Sequence, residues 1–276
     1  MALSERIPTF VEVIPQLLAH LKIKYISLAS QSAGTIYALN LLSRHSEMLS
    51  PTNPCVTFFS PWAHQSHTGI SFLALAAILP NPLLDHWNQI TGFMINRAQP
   101  AFAASGGAIS AARSAFKSKT ATGEQKEEEE RKCLSGYGMD LEMKKEAENL
   151  QFKYLFEENT RGANDEARLC LKSTTGTSWH ACENYEECVK SLAEVWERKI
   201  QEGATQLRVN IILPEEDIMV GEKGMRYFDE CWKKEACGKG IDVKVTKLKG
   251  TDHDTTASAS EGAIQAMFAE AMAPRS

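Results

Sequence analysis

Ser32 has a small residue two places away on each side, in Ser30-Gln31-Ser32-Ala33-Gly34. The apolar run Ile26-Ser27-Leu28-Ala29 precedes it, and the helix-compatible Thr35-Ile36-Tyr37-Ala38-Leu39 follows. A strand that turns sharply into a helix needs small side chains at these places, because bulk would strike the neighbouring backbone. Ser32 is therefore a candidate nucleophile. The same turn would aim the Ala33 N–H at a developing oxyanion, with the positive end of the following helix behind it. A serine hydroxyl is a poor nucleophile until a base takes its proton, and His253, in Gly250-Thr251-Asp252-His253-Asp254, titrates in the range this needs. Asp217, in Pro214-Glu215-Glu216-Asp217, is the candidate for holding the imidazole tautomer and stabilising the imidazolium. Glu215 and Glu216 adjoin it, and Asp252 and Asp254 flank the histidine, so each is an alternative orienting carboxylate. Position after a strand selects Asp217. The plainer readings are a serine that only caps a helix and a histidine in an ordinary surface loop.

Three groups so far apart in sequence can meet only if elements bring them to one place. Lys24–Ala29, Cys55–Phe59, Gln206–Leu213 and Ile241–Leu248 read as strands, the last with the apolar-polar alternation of a half-solvated edge. Parallel strands deliver the loops that follow them to one rim of a sheet, so Ser32, Asp217 and His253 converge if the strands pair in parallel. Thr9 to Leu21 reads as an amphipathic helix with a capping box at Thr9 and Glu12, an apolar face at Val13, Leu17, Leu18 and Leu21, and a kink or late start at Pro15. Asn184 with Glu187 opens another helix, carrying Tyr185, Val189, Leu192, Trp196 and Ile200 at helical spacing. Met225, Phe228 and Trp232 mark a third helix closing near Gly238 and Gly240, and a last one falls within Ser258 to Met272. Residues 62–183 differ in character. They hold proline-bearing apolar stretches, a small-residue tract from Ala101 to Ala115, polar sequence from 117, the run Lys126-Glu127-Glu128-Glu129-Glu130-Arg131-Lys132, and helical spacing from Met139 to Glu158 with Met143, Leu150, Tyr154 and Leu155 on one face. The chain thus divides into residues 1–61 and 184–276, forming a core, and 62–183, a helical insertion. The charge run is expected at a solvated helix end or a loop tip.

With these residues and their order in view, the chain resembles the α/β-hydrolase superfamily. Ser30-Gln31-Ser32-Ala33-Gly34 is similar to its nucleophile elbow, Leu213 to Gly221 to its acid-bearing loop, and Gly250-Thr251-Asp252-His253 to its histidine loop. The resemblance implies an α/β fold with a mostly parallel sheet, and a helical cap where residues 62–183 are inserted. It implies a serine hydrolase that cleaves an ester, thioester or amide of a small or lipid-like acyl substrate, with no cofactor and no metal. It also implies strands and a second oxyanion donor ahead of the elbow, often with a His-Gly pair, and no such pair precedes Leu28. A partial hydrolase sheet is expected, with an apolar edge at the elbow strand through which copies of the chain could associate. An inactive hydrolase-derived binding module, or transfer of the acyl group to an alcohol or amine, are the other functions this pattern accommodates.

The 276 residues carry 30 basic and 35 acidic side chains, a formal charge of −5, and no Lys/Arg-rich run, so a nucleic-acid partner is not expected. Ile70 to Leu79 is too short for a membrane span, and the opening Met-Ala-Leu-Ser-Glu-Arg-Ile-Pro lacks the order of a secretory signal, so a cytoplasmic location is expected. The seven cysteines fit no disulfide framework or zinc spacing and read as reduced thiols; only an oxidising compartment would pair Cys182 with Cys188. His64 and His67 form an H-x-x-H pair without a third ligand, and are expected at the cleft or the surface rather than on a metal. Trp62, Phe72, Trp87, Phe93 and Met94 are candidates for an acyl pocket, or else plain core.

Overall fold

A computed structural model describes residues 1–69, 123–157, 161–174, 176–236 and 240–273. In chain order these form α1 (Leu3–Leu21), β1 (Leu28–Gln31), α2 (Gly34–His45), β2 (Cys55–Phe59), the single turn α3 (Gln65–Thr68), α4 (Gly123–Tyr137), α5 (Leu141–Glu157), α6 (Arg161–Leu171), α7 (Tyr185–Gln201), β3 (Leu207–Pro214), α8 (Gly221–Glu235), β4 (Ile241–Leu248) and α9 (Ala263–Met272). The strands build one four-stranded sheet in the order β1-β2-β3-β4, parallel throughout. It is an α/β fold. Among the described residues all four strands come from 1–61 and 184–276, and 62–183 contributes helices.

Sheet position explains each strand's composition. Every residue of the interior strand β2 is buried, as its unbroken apolar run requires, whereas the edge strand β4 alternates between covered and exposed. Side chains alternate between the faces. Val56 and Phe58 of β2, with Val209 and Ile211 of β3, belong to the core with α2, α7 and α8, where the Phe58 ring meets Phe228 and Trp232 at 5.4 and 5.6 Å. Asn210 points the other way and donates to the Glu270 carboxylate of α9 at 2.8 Å. Burying an aromatic such as Phe228 contributes about 1.5–3 kcal/mol relative to exposure.

The spacing of α7 and α8 reads out as expected. Asn184 caps α7, accepting from the Glu186 and Glu187 N–H groups at 2.9 and 3.3 Å, and Tyr185, Val189, Leu192 and Trp196 are buried. Met225, Phe228 and Trp232 are the buried stripe of α8.

Other expectations need correction. The first strand is Leu28–Gln31 rather than Lys24–Ala29, with only Ile26 bridging to Leu49 ahead of it. Among the described residues no strand pairs with the exposed Lys24 and Tyr25, and pairing runs instead up to Gln31, next to Ser32. β3 is shifted by one residue, and α9 is separated from a short 3-10 turn, Ala259–Glu261, by Gly262 in the left-handed conformation. Helix α1 starts at Leu3, so the Thr9/Glu12 pair lies inside it and caps nothing, and both Pro8 and Pro15 are accommodated within. Its buried face is Ile7 and Val11, with Phe10 half-buried against the Tyr37 ring at 5.1 Å. The anticipated face is largely uncovered: Val13, Leu17 and Leu21 are 48%, 46% and 54% exposed.

The helical spacing from Met139 falls on α5, where Met143, Leu150 and Tyr154 are exposed; the Leu155 side chain and Glu158 lie outside what is described. The 126–132 charge run lies within α4, mostly exposed, rather than at a helix end or loop tip. Phe72, Trp87, Phe93, Met94, the Ala101–Ala115 tract, Gly238 and Cys237 lie outside the described residues.

Candidate active site

The β1-to-α2 turn places Ser32. Its backbone sits at φ 50°, a left-handed conformation that a residue with a Cβ adopts at a cost, and its N–H donates to the Phe59 carbonyl of the adjacent strand at 3.0 Å. Helix α2 begins two residues later, with the Thr35 N–H donating back to the Ser32 carbonyl at 3.0 Å. The small residues on either side have a steric reason: a Cβ on Gly34 would lie 3.2 Å from the Ser30 Cβ. The hydroxyl thus projects from the rim of the sheet at the head of a helix. Among the described residues no acceptor is hydrogen bonded to the Ala33 N–H.

His253 and Asp217 reach this rim from the loops after β4 and β3. His253 Nε2 lies 2.7 Å from Ser32 Oγ, and its Nδ1 lies 2.8 Å from Asp217 Oδ2. A carboxylate only accepts, so Nδ1 carries the proton and donates to Asp217, leaving the Nε2 lone pair to accept from the Ser32 hydroxyl. The other Asp217 oxygen accepts from the Met219 and Val220 N–H groups at 2.9 and 2.7 Å, which fixes the carboxylate plane. The side chains of Asp217 and His253 are 0% and 5% exposed. Burial by itself lowers the His253 pKa; the hydrogen bond to Asp217 and the charges of Asp217, Asp254 and Asp252 outweigh it and hold the ring above its ordinary value.

The rival carboxylates are engaged elsewhere. Glu215 Oε2 accepts from the Gly250 N–H at 2.7 Å, and Asp252 Oδ1 caps its own loop, taking the Thr255 N–H and hydroxyl at 3.1 and 2.8 Å. Burial raises the Asp254 pKa, and none of these three carboxylates is hydrogen bonded to the imidazole.

His64 and His67 do not act together. The His64 ring meets Trp179 edge-on at 5.4 Å and bonds Ser66, with burial and the nearby Lys172 charge lowering its pKa to about 4. The His67 ring stacks on Tyr227 at 3.7 Å. No group of three His, Cys, Asp or Glu residues able to hold a metal occurs among the described residues. The described cysteines, Cys55, Cys133, Cys170, Cys182, Cys188 and Cys231, are buried and form no disulfide with one another.

Trp62 is core rather than open wall: it is buried, its N–H lies 3.3 Å from the Ser32 carbonyl, and its own carbonyl accepts from the Tyr185 hydroxyl at 2.9 Å. An open groove of about 470 Å³ lies elsewhere, between α1 and α2, lined by Met1, Arg6, Thr9, Phe10, Val13 and Tyr37.

Sequence reading passes over three residues that anchor the histidine loop. Gln31 Nε2 donates to the His253 and Asp254 carbonyls at 3.4 and 3.2 Å, and the buried Ser60 and Thr256 hydroxyls lie 2.7 Å apart. Gln31 stands inside the serine motif, but the strand was read as ending at Ala29, ahead of it; nothing local marks Ser60 or Thr256.

No family model matches the chain, and no curated protein is similar to it in sequence. In fold it is similar to solved structures. MGS-M2, an α/β-hydrolase enzyme from a Medee basin deep-sea metagenome library, is 14% identical, with a TM-score of 0.45 over 94% of this chain and 70% of that one. BpoC of Mycobacterium tuberculosis H37Rv, named as a non-heme bromoperoxidase, is 12% identical, with a TM-score of 0.42 over 97% and 75%. A structure from a study of carboxylesterases of the ammonia-oxidising thaumarchaeon Nitrososphaera gargenis is 13% identical, with a TM-score of 0.36 over 97% and 70%. The likeness is one of fold. No helix among the described residues is long and apolar enough to cross a membrane.

Proposed function

We propose that this protein is a serine hydrolase of the α/β-hydrolase type, cleaving an ester, thioester or amide through an acyl-enzyme. The observation that carries the reading is the unbroken relay Ser32 Oγ to His253 Nε2 at 2.7 Å and His253 Nδ1 to Asp217 Oδ2 at 2.8 Å. Ser32 Oγ attacks the acyl carbon as its proton passes to His253 Nε2, and the imidazolium is stabilised by Asp217. The Ala33 N–H donates to the oxyanion, helped by the partial positive charge at the head of α2. The carbonyl re-forms, the leaving group takes the proton from His253, and the acyl group stays on Ser32. Water then enters, gives a proton to His253 and releases the acid by the same steps in reverse.

A small or lipid-like acyl group is the proposed substrate, with residues 62–183 as its cap and a cytoplasmic location that suits thiols outside disulfides. An excess of alcohol or amine in place of water would turn the second step into acyl transfer, which product analysis with added acceptors would reveal.

One observation favours a second reading, an inactive hydrolase-derived module that binds a partner. The outer edge of β1 has no strand beside it among the described residues, and Ala29 and Gln31 are exposed there. A fluorophosphonate probe separates the two. The folded protein should take one label, and Ser32→Ala should take none. Folded protein that remains unlabelled would favour the binding module.

A further inference from the structure

The loop carrying His253 is tied to the ends of all three other strands. After β3, Glu215 takes the Gly250 N–H at 2.7 Å and the Glu216 N–H donates to the Thr251 carbonyl at 3.3 Å. After β2, Ser60 Oγ and Thr256 Oγ1 form a buried pair at 2.7 Å. These ties hold the two ends of the loop. Gln31, the last residue of β1, acts in the middle: its Nε2 donates to the Asp254 carbonyl at 3.2 Å and to the carbonyl of His253 itself at 3.4 Å.

The strand that presents the hydroxyl therefore also grips the backbone of the residue that presents the base. Gln31 and Ser32 are joined by one peptide bond, so any movement of the elbow carries the grip with it. A hydroxyl-to-imidazole separation of 2.7 Å leaves little slack, because proton transfer falls off steeply when the two atoms lose register.

We propose that Gln31 is a positioning residue for proton exchange between Ser32 and His253; this rests on the hydrolase reading and extends it. The side chain suits the task in three ways. It is long enough to cross from the strand to the loop. It presents N–H donors toward two carbonyl oxygens, which a carboxylate cannot do. It is neutral, so it grips the loop without adding charge beside the imidazole. Gln31→Met keeps the length and removes the donors. Gln31→Glu keeps the shape, sets negative oxygen against the two carbonyls, and adds a fourth carboxylate to the three that already raise the His253 pKa.

The test compares wild type, Gln31→Met, Gln31→Glu and Ser60→Ala by three readouts: fluorophosphonate labelling rate against pH, NMR titration of the His253 ring, and thermal midpoint. Gln31→Met should slow labelling about 10-fold on the alkaline plateau, the size expected when two modest hydrogen bonds are lost, with a nearly unchanged thermal midpoint because one bond is exposed and the other only partly buried. Gln31→Glu should slow it at least as much and move the ring titration and the rise of the rate profile to higher pH. Ser60→Ala, which strands a buried hydroxyl, should instead lower the midpoint. Labelling of Gln31→Met at the wild-type rate, or a loss that follows the thermal midpoint, would overturn the assignment. If wild type takes no label, the hydrolase reading fails and the ring titration alone decides on Gln31: equal His253 pKa values in wild type and Gln31→Glu would show that residue 31 does not govern the histidine.

Discussion

At the scale of single residues, the site depends on how one imidazole is charged. Asp217 and its neighbouring carboxylates hold the His253 pKa above its ordinary value of about 6.5, although burial opposes them. In the proposed mechanism His253 must be neutral to take the Ser32 proton, so labelling should rise with pH through the folded-state pKa. Stability runs the other way. A group whose pKa is raised on folding adds stability that is fully present below its unfolded pKa of about 6.5 and is lost as pH rises through the folded value. The same histidine should therefore make the protein slightly less stable to urea over the pH window in which it becomes more reactive. Asp217→Asn separates the effects further: it should lower the His253 pKa, moving the rate profile toward acid, while cutting the plateau labelling rate by roughly 10³- to 10⁴-fold because the tautomer is no longer held. A variant with an unshifted profile would place the control of His253 elsewhere.

Among the elements, the parallel strands explain why the site assembles and the helices explain what surrounds it. Four strands running the same way end at one rim, so a turn, an acidic loop and a histidine loop drawn from Ser32, Asp217 and His253 meet without any local cue linking them. Helix α4 reaches the same neighbourhood. Gly136 is packed so closely on the short turn after the histidine loop that a Cβ there would lie 2.6 Å from the Ser260 backbone nitrogen, and Lys132 pairs with Glu261 at 3.3 Å. Gly136→Val must push α4 off this seat. A cost of about 1–3 kcal/mol is expected from such overpacking, with faster hydrogen exchange in α4 and in residues 259–261. Exchange unchanged in both would mean that α4 is held by other contacts. Strands β2 and β4 and helices α7 and α8 were legible from spacing because each buries one continuous stripe or largely alternates across a sheet. The first strand and α1 were not. Their apolar residues predict a covered face, and which side is covered depends on neighbours that no local pattern names.

For the molecule as a whole, the outer edge of β1 has no strand beside it among the described residues, and an apolar strip stands uncovered on and just after α1. Val13, Leu17, Leu21, Ile23 and Tyr25 are all more than two-fifths exposed. Strips of this kind on a folded protein mark contact surfaces, and an open strand edge invites pairing. Concentration-dependent self-association is therefore expected in sedimentation velocity. Replacing Leu17 and Leu21 together by Lys should weaken it by at least about tenfold, since each exposed leucine contributes on the order of 1 kcal/mol of buried area. A protein that stays monomeric at every concentration would show that this strip is tolerated bare.

Read alone, the sequence determined which side chains could do chemistry and in which loops they had to lie. Small neighbours around Ser32, an acidic residue and a histidine each following an apolar run are local requirements, and local requirements are written in order along the chain. Tertiary structure decided the rest: that Asp217 and not Glu215 or Asp252 takes the imidazole, that Gln31 and Ser60 hold the histidine loop, and which face of α1 is covered. Those outcomes turn on distances between residues remote in sequence, fixed only when strands take their neighbours in the sheet, and neither the spacing nor the composition of any one segment encodes them.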